Sequence, residues 1–227
     1  QQAKLITEEF RTSAGKQVHQ KATPIRLNSL LENQIEEMAP TFARAKQVVE
    51  LDLDPQLKSI IAAEEDLDGI LLNLILNAME ANEVVGGKKI TIRSLSPEMV
   101  DLSDPPEELA SKIDSGIRYS CFEVIDEGVG ITPELGQQVF NLGVTTKGGL
   151  RTDYGRDGFG SGLHIVWDMV SANNGAVDFI RNDSIGVKFR VFLPAGPEIA
   201  EKQSDVIVIP RLQAEKGKVL LIEDDED

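Results

Sequence analysis

The sequence predicts an α/β fold, a two-layer sandwich in which a mixed sheet of five strands is backed on one face by three helices. Three observations predict it. Short runs of strand character alternate with stretches whose apolar residues recur every three or four positions. A hairpin pattern, Ala176–Arg181 and Val187–Pro194 across Asn182–Gly186, closes the ordered part. Glycine-rich segments close one strand at Asp126 and open one helix at Gly158–Gly162.

Each element has its own signal. Leu5, Ile6, Phe10, Ala14 and Val18 are spaced as on a helix, so residues 1–21 are expected to hold a helix end and a connector. Ala22–Leu27 is a short strand, and Asn28 is expected to cap a helix reaching about Ala45. Gln47–Leu53 alternates Val48, Glu50 and Asp52 against Val49, Leu51 and Leu53, the pattern of a half-buried strand. Ser59–Ala63 is a further short strand, after which Glu65 or Asp66 can cap the next helix. On that helix Leu67, Ile70, Leu71, Leu74, Ala78 and Ala81 form an apolar stripe, and Gly86–Gly87 ends it. Lys88–Leu95 and Tyr119–Asp126 are paired strands around a polar, proline-bearing loop, Ser96–Gly116. Pro133–Val139 is a short helix, and Phe140–Gly160 has the composition of a functional lid. Ser161–Asn173 is the last helix, terminated by Asn174–Gly175.

Residues 22–195 thus form one domain. Residues 196–217 read as a linker, and 218–227 as an apolar strand followed by five acids. That end is either a solvated acidic tail or the truncated start of a receiver domain, whose first strand presents acids to Mg²⁺.

With 41% apolar and 27% charged residues, the 227-residue chain has the composition of a globular protein. A net charge of −15 argues against nucleic acid as a partner. The single cysteine, Cys121, suits a reducing compartment and reads as a buried core thiol. No apolar run approaches the roughly 20 residues a membrane span needs, so a cytoplasmic location without membrane contact is expected.

Chemistry-bearing residues fall in three places. Asn73 and Asn77, four apart, lie side by side on the border of the apolar stripe, where a buried helix can meet a pocket. The amide oxygen of Asn77 is a fit ligand for Mg²⁺, which keeps several waters and takes few protein groups. Alternatively both amides satisfy backbone groups at a sheet edge. Asp126 opens a glycine-rich turn, and its carboxylate can only accept hydrogen bonds, which suits the adenine amine and rejects guanine. Gly128 and Gly130 would let backbone approach the flat base, although a plain turn has the same composition. Gly158, Gly160 and Gly162 precede a helix whose free amides suit phosphate. The dinucleotide spacing fails at Leu163 and no P-loop lysine motif exists, so phosphate charge falls to Mg²⁺ and to Lys147, Arg151 or Arg156. His19 and His164 are the only histidines; no nucleophilic triad or zinc cluster can be assembled.

Taken in order, these segments resemble sensor histidine kinases. LLNLILNAMEA is similar to their N box, DEGVGIT to the G1 box and VFNLGVTTKGG to the F box; GFGSGLHIV is similar to the G2 box and IGVKFRVFLP to the closing strand. The resemblance covers about Thr23 to Pro194 and implies the ATP-binding sandwich of the Bergerat (GHKL) superfamily. It assigns Asn77 to Mg²⁺, Asp126 to adenine, Gly128 and Gly130 to the base, and Thr145, Thr146 and Lys147 to the lid. Gly158, Gly160, Ser161, Gly162 and Leu163 fall to the phosphates, and Asn73 and Lys147 to catalysis. Relatives that hydrolyse ATP carry a glutamate as general base one turn before the metal asparagine; Asn73 stands there and takes no proton at neutral pH. Glu127 replaces the asparagine usual in its box, Val187 a frequent threonine, and Glu80 a frequent base.

The implied function is transfer of the ATP γ-phosphate to a histidine on a dimerisation domain of the same protein, with a response-regulator receiver domain downstream. The phosphoacceptor histidine is expected upstream of this chain, His19 falling after the helix. Two rival readings are an ATP hydrolase or clamp of the wider superfamily, and a regulatory module that binds ATP without catalysis.

Overall fold

The computed structural model describes residues 21–103, 105, 107–141, 162–181 and 186–199. The helix end expected before residue 21, the lid beyond Asn141 and the linker and acidic strand beyond residue 199 lie outside them. In chain order the elements are β1 (Thr23–Ile25), α1 (Leu27–Ala45), β2 (Val48–Leu53), β3 (Ile60–Ala62), α2 (Glu64–Val85) and β4 (Lys89–Leu95). There follow the short α3 (Glu107–Ala110), β5 (Tyr119–Asp126), a 3₁₀ turn (Gly136–Phe140), α4 (Gly162–Ala172), β6 (Ala176–Arg181) and β7 (Val187–Pro194).

The stripe on α2 is what the sheet closes upon. Leu67, Ile70, Leu71, Leu74 and Ala78 are buried against Ile90, Ile92, Phe122, Val124 and Val191 of the strands. Val166 and Val170 of α4 enter the same core. Ala81, the last residue of the expected stripe, is half-buried. The five strands run β2-β4-β5-β7-β6. β2 and β4 are parallel, since the chain between them crosses over through α2; the other pairs are antiparallel. The mixed five-stranded sheet with three long helices is therefore as the sequence predicts. β1 and β3 form a separate antiparallel pair beside it.

Several local expectations are corrected. α1 begins at Leu27 behind an extended Arg26, with no side-chain cap. Asn28 instead donates to the Asp54 carbonyl (2.9 Å) and accepts from the Ser94 hydroxyl (2.8 Å), tying α1 to the sheet. Neither Glu65 nor Asp66 caps α2, whose N-cap position is Ala63. In β2 the alternation is incomplete: Leu51 is 39% exposed, because this strand is the sheet's edge. Helical structure after Pro133 is a 3₁₀ turn, shifted to Gly136–Phe140. The loop between β4 and β5 contains α3, whose Leu109 is buried with Tyr119, Cys121, Ala176 and Phe192 on the sheet face that lacks the long helices. An apolar anchor inside a polar loop has no periodicity to betray it.

The same face carries a row of charges. Asp52, Arg93, Glu123, Arg190 and Asp178 are successive Cα partners across all five strands, alternating in sign. Arg93 bonds Asp52 at 2.7 Å, Lys188 reaches Glu123 at 3.2 Å, and Arg190 holds Asp178 through Nε at 2.8 Å. Opposite charges directly across a ladder are the favourable arrangement.

Candidate functional site

The site is built on α2, and α2 is held at both ends. The backbone N–H of Ala63 donates to Asn173 Oδ1 at 2.7 Å, so the cap arrives from the far end of α4. Asn173 is oriented by donating to Asp66 Oδ2 at 2.9 Å. At the other end Gly86 takes φ +72, a left-handed conformation that stops the helix without a Cβ penalty.

Between these ends the two expected amides meet the start of α4. A Cβ placed on Gly162 would lie 3.4 Å from Asn73 Oδ1 and 3.8 Å from Asn77 Oδ1, so both side chains face that helix terminus. Asn73 is buried, and its Nδ2 donates to the Gly69 carbonyl at 2.7 Å, one turn back on α2. This bond fixes the amide plane and turns its oxygen toward Gly162. The Nδ2 of Asn77 is buried and finds no hydrogen-bond partner among the described residues. An amide left uncommitted beside a helix N-terminus is available to a guest.

Asp126 ends β5 at 5% exposure. Its Oδ1 accepts the N–H of Gly128 (2.8 Å) and of Val187 (3.2 Å). Among the described residues no hydrogen bond reaches Oδ2, so one oxygen is fixed by backbone and the other remains for a donor. Burial pushes the carboxyl from an ordinary 3.8 to about 6, against the pull of those two N–H groups.

The glycines of the Asp126 turn have structural reasons of their own. A Cβ on Gly128 would stand 2.4 Å from the Cβ of Ala81, so the absent side chain makes room for α2. Gly130 is required by its conformation, φ +75. Gly186, which the sequence marks only as a turn residue, lies against Asp126: a Cβ there would be 1.9 Å from the Asp126 carbonyl oxygen. Because Ala81 is one helical turn beyond Asn77, the Asp126 turn and the two amides adjoin along one side of α2.

Other candidates are placed or left outside. Leu163 directs its side chain into the core from the first turn of α4. His164 Nδ1 lies 3.1 Å from the Phe140 carbonyl and Nε2 lies 3.4 Å from Asp168, a local tether. Thr145, Thr146, Lys147, Arg151, Arg156, Gly158, Gly160 and Ser161 lie outside the described residues. A cleft of about 380 Å³ between Lys112, Phe140, His164 and Trp167 is separate from the Asp126 turn.

Among the described residues no group of three or more His, Cys, Asp or Glu side chains could hold a metal ion. A cation here would rest on one amide oxygen, water and ligand oxygens, the manner in which Mg²⁺ accompanies phosphates. Asn77 Oδ1, 3.8 Å from a Cβ placed on Gly162, is the oxygen at the start of α4 that could meet that requirement.

Comparison with known proteins bears on the family and the fold. Residues 62–197 match the profile of the histidine kinase-, DNA gyrase B-, and HSP90-like ATPase family. The sensory histidine kinase/phosphatase NtrB of Vibrio alginolyticus is 26% identical over 180 residues, covering 79% of this chain and 46% of that protein. NtrB of Proteus hauseri is 29% identical over 143 residues, 63% of this chain and 36% of the relative. The chain thus spans less than half the length of these relatives. Among solved structures, full-length ShkA in complex with AMPPNP superposes with a TM-score of 0.59 at 24% identity, over 82% of this chain and 34% of that one. The nucleotide-free catalytic domain of histidine kinase ThkA gives 0.57 at 22%, over 78% of this chain and 97% of that domain. These likenesses extend through the whole sandwich, and the profile takes in α2, the Asp126 turn and the start of α4: the chain belongs to the histidine kinase-, DNA gyrase B-, and HSP90-like ATPase family.

Proposed function

We propose that this domain binds Mg²⁺-ATP and supplies its γ-phosphate to a histidine borne by a dimerisation domain of the same protein. The observation that carries the reading is the meeting of Asn73 and Asn77 with the start of α4, one turn from a buried Asp126 that keeps an oxygen in reserve. Asp126 Oδ2 accepts the adenine amine. Asn77 holds Mg²⁺ through its oxygen, and the first-turn amides of α4 meet phosphate oxygens. Bound Mg²⁺ supplies charge neutralisation between phosphates. Thr145, Thr146, Lys147, Gly158, Gly160 and Ser161, which the resemblance assigns to nucleotide binding, lie outside the described residues, and their roles rest on that resemblance alone.

Transfer is favoured over hydrolysis by Asn73. Its nitrogen is tied to Gly69 and its neutral amide removes no proton from water, so the phosphate waits for another acceptor. Support for two-component signalling comes from the relatives' being sensory histidine kinases. On that reading a receiver domain takes the phosphate onward in the cytoplasm. Among the described residues no helix is long and apolar enough to cross a membrane.

Calorimetric titration with Mg²⁺-ATP tests the proposal. Wild type binds; Asp126→Asn weakens ATP by at least about tenfold, the loss of one charge-assisted hydrogen bond. Asn77→Ala is expected to abolish the gain that Mg²⁺ gives. Equal affinities in all three proteins would refute the pocket. Steady ATP turnover without a phosphoacceptor would favour the hydrolase reading instead.

A further inference from the structure

Asn82 is fully buried in the last turn of α2, and the site as described makes no use of it. Its side chain is completely engaged. Oδ1 accepts the backbone N–H of Glu127 at 2.9 Å, and Nδ2 donates to Gln47 Oε1 at 2.8 Å and to the Lys89 carbonyl at 3.1 Å. Its own carbonyl accepts the Gly87 N–H at 2.9 Å. Glu127 answers from the other side, where Oε2 accepts the N–H groups of Lys88 (3.3 Å) and Lys89 (3.2 Å). Gly87 has no room for a side chain: a Cβ would lie 2.9 Å from the Glu127 carbonyl oxygen and 3.0 Å from Asn82 Oδ1. Four pieces of chain close around one amide: the end of α2, the residue before β2, the start of β4 and the residue after Asp126.

We infer that Asn82, with Glu127, is a positioning pair that fixes the Asp126 carboxylate at a set distance from Asn77. The inference deepens the adenine-nucleotide reading and rests on it. Asn77 and Asn82 stand on one rigid helix, and Glu127 is covalently next to Asp126. The amide therefore spans from the helix that faces the phosphate end to the turn that faces the base. An apolar side chain would fill a fully buried site at lower desolvation cost. A polar group with every atom satisfied specifies one arrangement instead, which is what two separated contacts on a single ligand require. Glu127 strengthens the tie because its carboxylate receives two amides at once.

The test uses the full chain and follows two properties. One is Mg²⁺-ATP affinity. The other is the titration of the Asp126 carboxyl in the ligand-free protein, by carbon NMR, with the signal identified by its loss in Asp126→Asn. That carboxyl is faced by the Gly128 N–H of its own turn and the Val187 N–H of β7; the neighbouring Lys188 is paired to Glu123. In Asn82→Ala, ATP affinity falls by about tenfold or more. The Asp126 midpoint moves down by about one unit or more as water enters the loosened turn. An unchanged midpoint, or affinity within about twofold of wild type, makes Asn82 merely structural and overturns the inference. If Asn82→Ala does not fold, Glu127→Ala decides the matter, since Glu127 is exposed: a downward midpoint with weaker ATP supports the pair, and an unmoved midpoint rejects it. Wild type that fails to bind ATP sinks the nucleotide reading alone, because the ligand-free titration still reports on the pair.

Discussion

Asp126 carries a conflict between stability and binding. Its folded-state pKa is raised from 3.8 to about 6, so between those values the folded protein holds more protons than the unfolded chain. The stability this group allows is fully present below 3.8 and is lost as pH rises through about 6. Above pH 6 the ionised carboxylate is a net cost of folding, on the order of 3 kcal/mol. Asn at this position keeps an oxygen for Gly128 and Val187 without the charge. Asp126→Asn should therefore melt higher than wild type at pH 7.5 while binding ATP worse, and the advantage should vanish below about pH 4. Paired melting curves at the two pH values check it. A variant that melts lower at pH 7.5 would contradict the burial argument. At this scale the sequence was legible where one residue's chemistry is local: the carboxylate that only accepts, and the amides four apart on a helix. It was silent on the packing of Gly128 against Ala81, a contact no spacing rule displays.

Elements were legible wherever a period persists. The last two strands, Ala176–Arg181 and Val187–Pro194, and Tyr119–Asp126 stand within the expected bounds because alternation and turn residues agree there. Helix stops were legible at Gly86, but N-caps were not. Asn28 looked like a cap and is a cross-link, while α2 is capped by Asn173, which lies 110 residues away in sequence. Local rules cannot see a cap lent by another helix. Removing it is expected to leave the Ala63 N–H unsatisfied, so Asn173→Ala should cost about 1–3 kcal/mol. Asp66→Ala only frees the amide that Asn173 also anchors at the Met169 carbonyl, and should cost less. Urea unfolding of the two variants distinguishes them; equal losses would mean that Asp66 itself supports the helix start.

For the whole molecule, the charged row across the sheet does what a helix layer does on the other face. It sets register, because sliding one strand by two residues keeps the pleat but breaks the sign alternation of Asp52, Arg93, Glu123, Arg190 and Asp178. Glu123 is the centre, 6% exposed at its side chain, with Arg93 and Lys188 both turned to it. Glu123→Gln should destabilise by about 1–2 kcal/mol, since both cations are part-exposed and recover some hydration. Adding Lys188→Met should cost less than the sum of the single changes, and a double-mutant cycle by urea unfolding measures that. Strict additivity would show that the row is ornamental.

The short strand β3 also has a consequence beyond the sandwich. The incoming β1 lies along it, Thr23 opposite Ala62, and the outgoing chain is moored at its other end, where Ser59 and Ile60 hold Ala195–Pro197. The two leads pair with the same three-residue strand. Whatever is spliced to either side is thus berthed at one corner, a step from the first turn of α2. A tug on one tether reaches the other through a single ribbon of backbone.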